Sequence, residues 1–341
     1  MDIEKKFELI KRNTYEIIEE SELKELLKNN KNPIIYWGTA PTGRPHVGYF
    51  FPALKIADLL KAGFKVKILL ADLHAALDNV TWSVLEKRYK YYKAIIPLLV
   101  KSIGVDIKNL EFVRGSDFQL KKDYIFDVMR LSTHVSVKDA TKAASEVVKS
   151  VEGEKAKLSG LLYPLMQSLD EEYLKTDAQL GGTDQRKIMV LARENLPKLG
   201  YKSRIEVMHA LIPGLVSGKM SSSDEGSKID LLDGPETIKR KLKNAEMVEG
   251  DPNNGVMAFL KYVIMIIKQD QKKFFFIERD EKYGGDLKYK TYEEIEKDFV
   301  AKKLHPLDLK NAVAAEISGM LNPIQTKRKE LEKIAKDAYN N

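Results

Sequence analysis

Pro41-Thr42-Gly43-Arg44-Pro45-His46-Val47-Gly48-Tyr49 crowds two prolines, two glycines and a histidine into the junction between an apolar run and a helical pattern. Upstream, residues 32–40 (NPIIYWGTA) read as a buried strand. Downstream, residues 47–62 carry Phe50, Leu54, Ala57 and Leu59 at helical spacing and stop at Gly63. The alternation continues with a strand at 64–71 (FKVKILLA), a long amphipathic helix at 82–103 closed by Gly104, and a strand at 110–115 (LEFVRG). A βαβαβ order implies right-handed crossovers and a parallel, doubly wound sheet, with ligands bound beyond the strand C-termini. The opening junction lies at such an end. A helix beginning near His46 offers unpaired N–H groups and a positive dipole end to a phosphate. Gly43 and Gly48 let backbone approach, Pro45 presets the first turn, and His46 can donate to a phosphate oxygen. Taken alone, the stretch equally fits a turn, a helix start and a surface histidine.

Further on, residues 122–149 and 158–174 look helical, 177–182 form a short strand, 185–196 a helix and 204–211 the last strand. From about Leu232 strand signals vanish and Lys/Glu-rich helical segments take over, interrupted by Tyr283-Gly284-Gly285-Asp286. The expected fold class is therefore α/β, a Rossmann-like doubly wound catalytic domain over 1–231, with inserted helices at about 118–160, followed by a helical domain over 232–341. A length of 341 residues suits two such domains.

The chain has no cysteine, which excludes a disulfide framework, thiolate metal sites and a cysteine nucleophile. Its net charge of +7 suits a polyanionic partner and fits a lysine-rich surface equally well. Residues 1–30 mix Glu and Lys with apolar residues at helical spacing and lack the unbroken apolar core of an export signal. The longest apolar clusters fall short of the roughly 18 residues that a membrane span requires. A cytoplasmic protein without a membrane partner is expected.

A second stretch, Gly214-Leu-Val-Ser-Gly-Lys219-Met-Ser221-Ser222-Ser223-Asp224, is a glycine-bracketed, hydroxyl-rich loop with a single lysine. Its composition alone suits a flexible linker. With the first stretch, however, it resembles the class I aminoacyl-tRNA synthetases, whose His-x-Gly-His and Lys-Met-Ser-Lys-Ser elements read here His46-Val-Gly-Tyr49 and Lys219-Met-Ser-Ser-Ser223. Tyr49 and Ser222 depart from those elements, and their roles stay open. The chain is most similar to tyrosyl-tRNA synthetases of archaeal and eukaryotic type. The likeness runs from Tyr36-Trp-Gly-Thr39 through Ala71-Asp-Leu-His74 and Leu161-Leu-Tyr-Pro164 to Leu304-His-Pro-Leu-Asp-Leu-Lys-Asn311. The extra C-terminal domain of extended eukaryotic relatives is expected to be missing.

The resemblance implies two steps: tyrosine and ATP give tyrosyl adenylate and pyrophosphate, then the tRNA 3′ end takes the tyrosyl group. His46 and Lys219 would stabilise phosphate charge, with Ser221, Ser222 and Ser223 as further donors. Mg²⁺ would arrive on the ATP phosphates, with no metal site of the protein's own. Tyr163, Gln167 and Asp170 are spaced to share a helix face, which fits a core face as well as a site. The resemblance makes Tyr36 and Asp170 the pair holding the substrate hydroxyl, Asp170 being ionised. Tyr163 and Gln167 would meet the amino group, and Gln185 would complete the pocket. It likewise assigns Gly38, Thr42, Gly43, Gly48, Gly182 and Asp184 to ATP. Arg186, with Lys187, would meet the tRNA acceptor end, and Tyr283, His305 and Asp308 the first anticodon base. A homodimer through the 82–148 region is also implied. The basic run Lys239-Arg-Lys-Leu-Lys243 reads as a helix face, an import signal or a phosphate tracker. A tryptophan-specific synthetase, a non-catalytic tRNA-binding relative and a small-molecule nucleotidyl transferase remain as alternatives.

Overall fold

The computed structural model describes residues 1–148, 156–211, 213–215 and 228–339. The chain divides into two compact units, one of Met1–Thr42, Lys55–Lys93 and Asp106–Leu211, the other of Gly43–Leu54, Ala94–Val105 and Ile212–Asn341.

The first unit is built on a six-stranded sheet of β1 (Thr14–Ile18), β2 (Ile34–Thr39), β3 (Lys65–Leu70), β4 (Leu110–Arg114), β5 (Ala178–Gly182) and β6 (Ile205–His209), in the order β1-β6-β5-β2-β3-β4. Only the β1–β6 pair is antiparallel. Strands β5 and β6 are buried at every residue and β2 and β3 at four of six, as strands covered on both faces are. The chain lays down β2, β3 and β4 in one direction and then returns to place β5 on the other side of β2. The order thus reverses between β2 and β5, and the crevice beyond their C-terminal ends is where such a sheet takes a ligand.

Strand β1 falls inside the 1–30 stretch whose spacing reads as helical. Two short helices, Ile3–Lys11 and Glu20–Asn29, do carry that period, but Asn13 and Glu19 between them adopt positive φ of 55° and 62° and release Thr14–Ile18 to pair with β6. The 122–149 stretch likewise resolves into two helices, Lys122–Ser132 and Val137–Ala144. The second is capped by Ser136 accepting from the Asp139 N–H.

Glu171, on the helix Leu158–Tyr173, and Glu206, on β6, are both fully buried, with Arg193 and Arg204 as their counter-charges. Burial pushes Glu171 up to about 8, and burial with the neighbouring Glu171 raises Glu206 well above the carboxylate range. Unfolded, both would ionise near 4.5, so the folded chain holds more protons between that pH and 8. Their stabilising effect is complete at low pH and is lost as pH rises through the folded values. The thermal midpoint should drop by roughly 5 °C between pH 6 and 9, and the double variant Glu171→Gln/Glu206→Gln should flatten that slope. Calorimetry across this range checks it, and an unaltered slope would refute the assignment.

The second unit is mainly helical, with Pro235–Lys243, Pro306–Gln325 and Arg328–Tyr339 among its helices. It also holds an antiparallel ribbon of β7 (Phe275–Ile277) and β8 (Leu287–Tyr289) in the stretch read as free of strands. Three residues per strand are too few to establish a period of two. The turn is made by Gly284 and Gly285, at φ 96° and 70°.

Candidate active site

Tyr36 stands on β2, and the helix Leu158–Tyr173 carries Tyr163, Gln167 and Asp170, all buried. Asp170 Oδ1 accepts from the Tyr124 hydroxyl and from Gln119 Nε2, each at 2.8 Å. Among the described residues its Oδ2 has no hydrogen-bond partner and lies 3.8 Å from His74 Nε2, which has none either. The His74 ring meets the Tyr163 ring edge-on at 4.6 Å. The Tyr36 hydroxyl donates to the Gln167 carbonyl at 3.4 Å, and the Gln167 amide donates to Gln185 Oε1 at 2.9 Å. One helix face, the strand β2 and the turn Thr183–Gln185 after β5 therefore bring together all five residues expected to hold an aromatic substrate.

The electrostatics are more finely balanced than a permanently ionised Asp170. Burial pushes that carboxyl up to about 7 against the lowering by Gln119 and Tyr124. Burial first, and the Asp170 charge second, raise the Tyr36 and Tyr124 phenols well above their ordinary range, while burial holds His74 near 4 and neutral. The result is a buried aromatic cluster around one carboxylate oxygen that has no hydrogen-bond partner among the described residues.

His74, Gln119 and Tyr124 are the functional side chains that sequence reasoning missed. His74 closes the Ala71-Asp-Leu-His74 match and was the one with a signal. Gln119 and Tyr124 reach Asp170 across 51 and 46 residues of chain, and no local spacing announces that.

Gly182 ends β5, and a Cβ there would meet Asp184 Oδ1 at 2.5 Å. On Gly181 it would meet the Met189 methyl at 2.5 Å and Gln185 Oε1 at 3.0 Å. Glycine is what lets Asp184 and Gln185 fold back over the strand end. Gly38 on β2 is different, because its nearest neighbours would stand 3.7 Å or more from a Cβ. A Cβ there would make only ordinary van der Waals contact with Tyr36 and Leu69, so packing alone does not demand a glycine at this position. The Thr42 carbonyl accepts from the Arg88 guanidinium.

In the second unit, His46 caps the turn Val47–Tyr49 that leads into the helix Phe50–Lys61. Its Nδ1 accepts from the Gly48 N–H at 3.2 Å, so the neutral ring carries its proton on Nε2. Burial, with Lys228 adding to it, holds the His46 pKa near 4. The Val47 N–H is taken by the Ile229 carbonyl at 3.0 Å, and the Tyr49 N–H by the His46 carbonyl at 2.9 Å. These N–H groups are thus already satisfied, and His46 Nε2 is left as the ring's donor. The segment is fastened further by Arg44 to Asp230 at 2.9 Å and by the Tyr339 hydroxyl donating to the Gly43 carbonyl at 2.9 Å. Lys219, Ser221, Ser222 and Ser223 lie outside the described residues.

Arg186 grips Glu16 through two hydrogen bonds of 2.7 and 2.8 Å, and Lys187 pairs with Glu146 at 2.7 Å. Both cations expected at the tRNA acceptor end therefore have carboxylate partners to exchange. Tyr283, 66% exposed, sits in the turn of the β7–β8 ribbon. His305 caps the helix Pro306–Gln325 by accepting from the Leu307 N–H at 3.2 Å, and Asp308 lies in that helix's first turn. Arg279 donates to the Gly285 carbonyl at 3.0 Å and to the Lys303 carbonyl at 3.3 Å, tying the Tyr283 turn to the strap before His305.

Residues 28–322 match the family of tRNA synthetases class I (W and Y). The chain is 51% identical over 341 residues to the tyrosine–tRNA ligase, cytoplasmic, of Danio rerio, a match covering 98% of this chain and 63% of that protein. It therefore spans less than two thirds of that relative's length. It is 47% identical to the tyrosine–tRNA ligase, cytoplasmic, of Saccharomyces cerevisiae, over 99% of this chain and 89% of the relative. Among solved structures, the tyrosyl-tRNA synthetase complexed with L-tyrosine from Pyrococcus horikoshii superposes with a TM-score of 0.92 at 30% identity, each chain covered to 100%. A family match running from before β2 into the helix Pro306–Gln325, over a sheet whose order reverses at the pocket, means that this chain belongs to the class I tRNA synthetases of the tryptophan and tyrosine branch.

Proposed function

We propose that this chain is an ATP-dependent tyrosine–tRNA ligase acting in the cytoplasm. The observation that carries the reading is the unpartnered Oδ2 of Asp170 in a buried aromatic pocket, shaped to accept from a phenol. Relatives named tyrosine–tRNA ligase, at 51% and 47% identity, support the same substrate. In the first step a tyrosine carboxylate oxygen bonds to the α-phosphorus of MgATP as the bond to pyrophosphate breaks. A carboxylate is already a nucleophile at neutral pH, so the protein's part is to position the reactants and stabilise charge. Asp170 and Tyr36 hold the phenol, Tyr163, Gln167 and Gln185 the ammonium end, and Gly38, Thr42, Gly43, Gly48, Gly182 and Asp184 the nucleotide. His46 donates from Nε2 to a phosphate oxygen, and Lys219 with Ser221 to Ser223 meets the leaving pyrophosphate. In the second step the terminal ribose hydroxyl of tRNA attacks the adenylate carbonyl and AMP leaves. Arg186 serves the acceptor end, while Tyr283 stacks on the first anticodon base and His305 and Asp308 bond to it. Residues 1–231 form the catalytic domain on this reading, and 232–341 the anticodon-binding one.

Tyrosine-dependent ATP–pyrophosphate exchange, run beside tryptophan, tests the proposal. Exchange with tyrosine alone is expected. Exchange with tryptophan would move the chain to the other branch of its family, and tRNA binding without exchange would make it a non-catalytic relative.

The ligase acts as a homodimer. The helix Lys122–Ser132 buries Tyr124 and Leu131 inward but presents Phe126 and Met129 outward at 60% and 62% exposure, beside exposed Leu120. A second copy bringing the same row covers it by two-fold symmetry. Phe126→Asp/Met129→Asp should sediment as a monomer. A wild-type chain already monomeric at micromolar concentration would disprove the dimer. No helix among the described residues is long and apolar enough to cross a membrane.

A further inference from the structure

The β7–β8 ribbon has two unlike faces. Phe275, Ile277 and Tyr289 point inward and are buried, while Phe274 and Phe276 point outward at 37% and 53% exposure. Phe276 is paired across the ribbon with Lys288. The two rings stand 6.5 Å apart, and the Lys288 ammonium hangs over both, 4.0 Å from the Phe274 centroid and 5.4 Å from that of Phe276. Exposed phenyl rings on a two-stranded ribbon gain nothing from the fold. Their surroundings say what would cover them. Lys272, Lys273 and Lys290 are exposed on the chain segments that carry the rings and Lys288, with Glu278 exposed on the first segment and Glu294 accepting from the Lys290 N–H at 2.8 Å, so the lysines beside the rings in sequence outnumber the carboxylates. The core of a protein–protein contact is depleted in lysine, whereas aromatic rings set among cations are how single-stranded nucleic acid is held. The turn of this same ribbon carries Tyr283, tied by Arg279 to the strap before His305.

We propose that Phe274, Phe276 and Lys288 form a second nucleobase-stacking site, which takes a further unpaired base of the tRNA beyond the one assigned to Tyr283. The inference rests on the reading of this chain as a tRNA ligase. An incoming base takes the ring face, and the flexible Lys288 swings from its cation–π position onto the adjoining phosphate. The stack is tolerant of base identity because every base has a π face, so the site adds affinity rather than anticodon specificity.

Phe274→Ser/Phe276→Ser in the full chain should raise the KM for tRNA in charging about tenfold and leave kcat and tyrosine-dependent exchange unchanged. Lys288→Ser should lower the slope of log affinity against log salt by about one phosphate contact. If exchange and charging are normal and neither the tRNA KM nor the salt slope moves, the stacking site is overturned. A changed oligomeric state at unchanged tRNA KM would assign the face to a second copy and overturn it too. Should the phenylalanine pair damage folding and exchange fall with it, the Lys288→Ser salt slope decides alone. Absence of exchange in the unsubstituted protein would defeat the ligase reading instead, which keeps the two failures apart.

Discussion

Asp170→Ala should lower kcat/KM for tyrosine in pyrophosphate exchange by about 10³-fold and leave the KM for ATP unchanged. The substitution removes the charged acceptor for the substrate hydroxyl and strands the Tyr124 hydroxyl and the Gln119 amide, both bonded to Asp170 Oδ1 at 2.8 Å. Stranding those two groups lowers stability in the free and the bound enzyme alike; toward tyrosine the loss is the hydrogen bond to a charge, about 1.5–3 kcal/mol, plus about 1–3 for the substrate hydroxyl left buried and unpaired, so roughly 4 kcal/mol is a fair sum. Asp170→Asn preserves the volume and removes the charge, and should be nearly as damaging. Burial holds the Asp170 pKa near 7, so acidification below that value neutralises the acceptor. In the wild type, kcat/KM for tyrosine should therefore decline as pH falls through about 7, and this limb should vanish in Asp170→Asn. Equal losses toward tyrosine and ATP would remove Asp170 from the phenol.

His46→Ala should slow adenylate formation by about 10²-fold, the usual loss when one preorganised donor to a developing oxyanion is removed, with tyrosine affinity preserved. The ring is fixed as a neutral Nε2–H donor by the Gly48 N–H on its other nitrogen and by a pKa near 4. Rapid-quench measurement of a single turnover isolates this step. His46 should contribute no break near pH 6.5 to the rate profile. Finding such a break in the wild type and losing it in His46→Ala would show a titrating imidazole and refute the neutral-donor role, as would a large rise in tyrosine KM at normal turnover.

The outline of the site was legible because chemistry concentrated at junctions. His46 with its glycines, Gly181-Gly182 before Asp184, and the helix carrying Tyr163, Gln167 and Asp170 each stand where a strand or helix ends or turns a face. These are local features that spacing brings forward, while the likeness to the class I tRNA synthetases decides between a site and a core face or turn. Strand β1 and the β7–β8 ribbon were not legible, because their short runs pair with partners distant in sequence or across a loop. Burial adds what spacing does not carry: it raises the Asp170 pKa, and the helix mouth at Val47 spends its N–H groups on Ile229 and on its own turn.

By itself the chain determined the alternation of strands and helices, the family it belongs to and the residue types available to grip a phenol and a triphosphate, because periodicity and glycine placement act over a few residues. Only the tertiary structure decided that Gln119, Tyr124 and His74 close around Asp170, leaving one oxygen unpartnered, and that Phe274 and Phe276 face outward under Lys288. Desolvation and hydrogen-bond pairing depend on neighbours that folding brings in from dozens of residues away, and no local pattern encodes them.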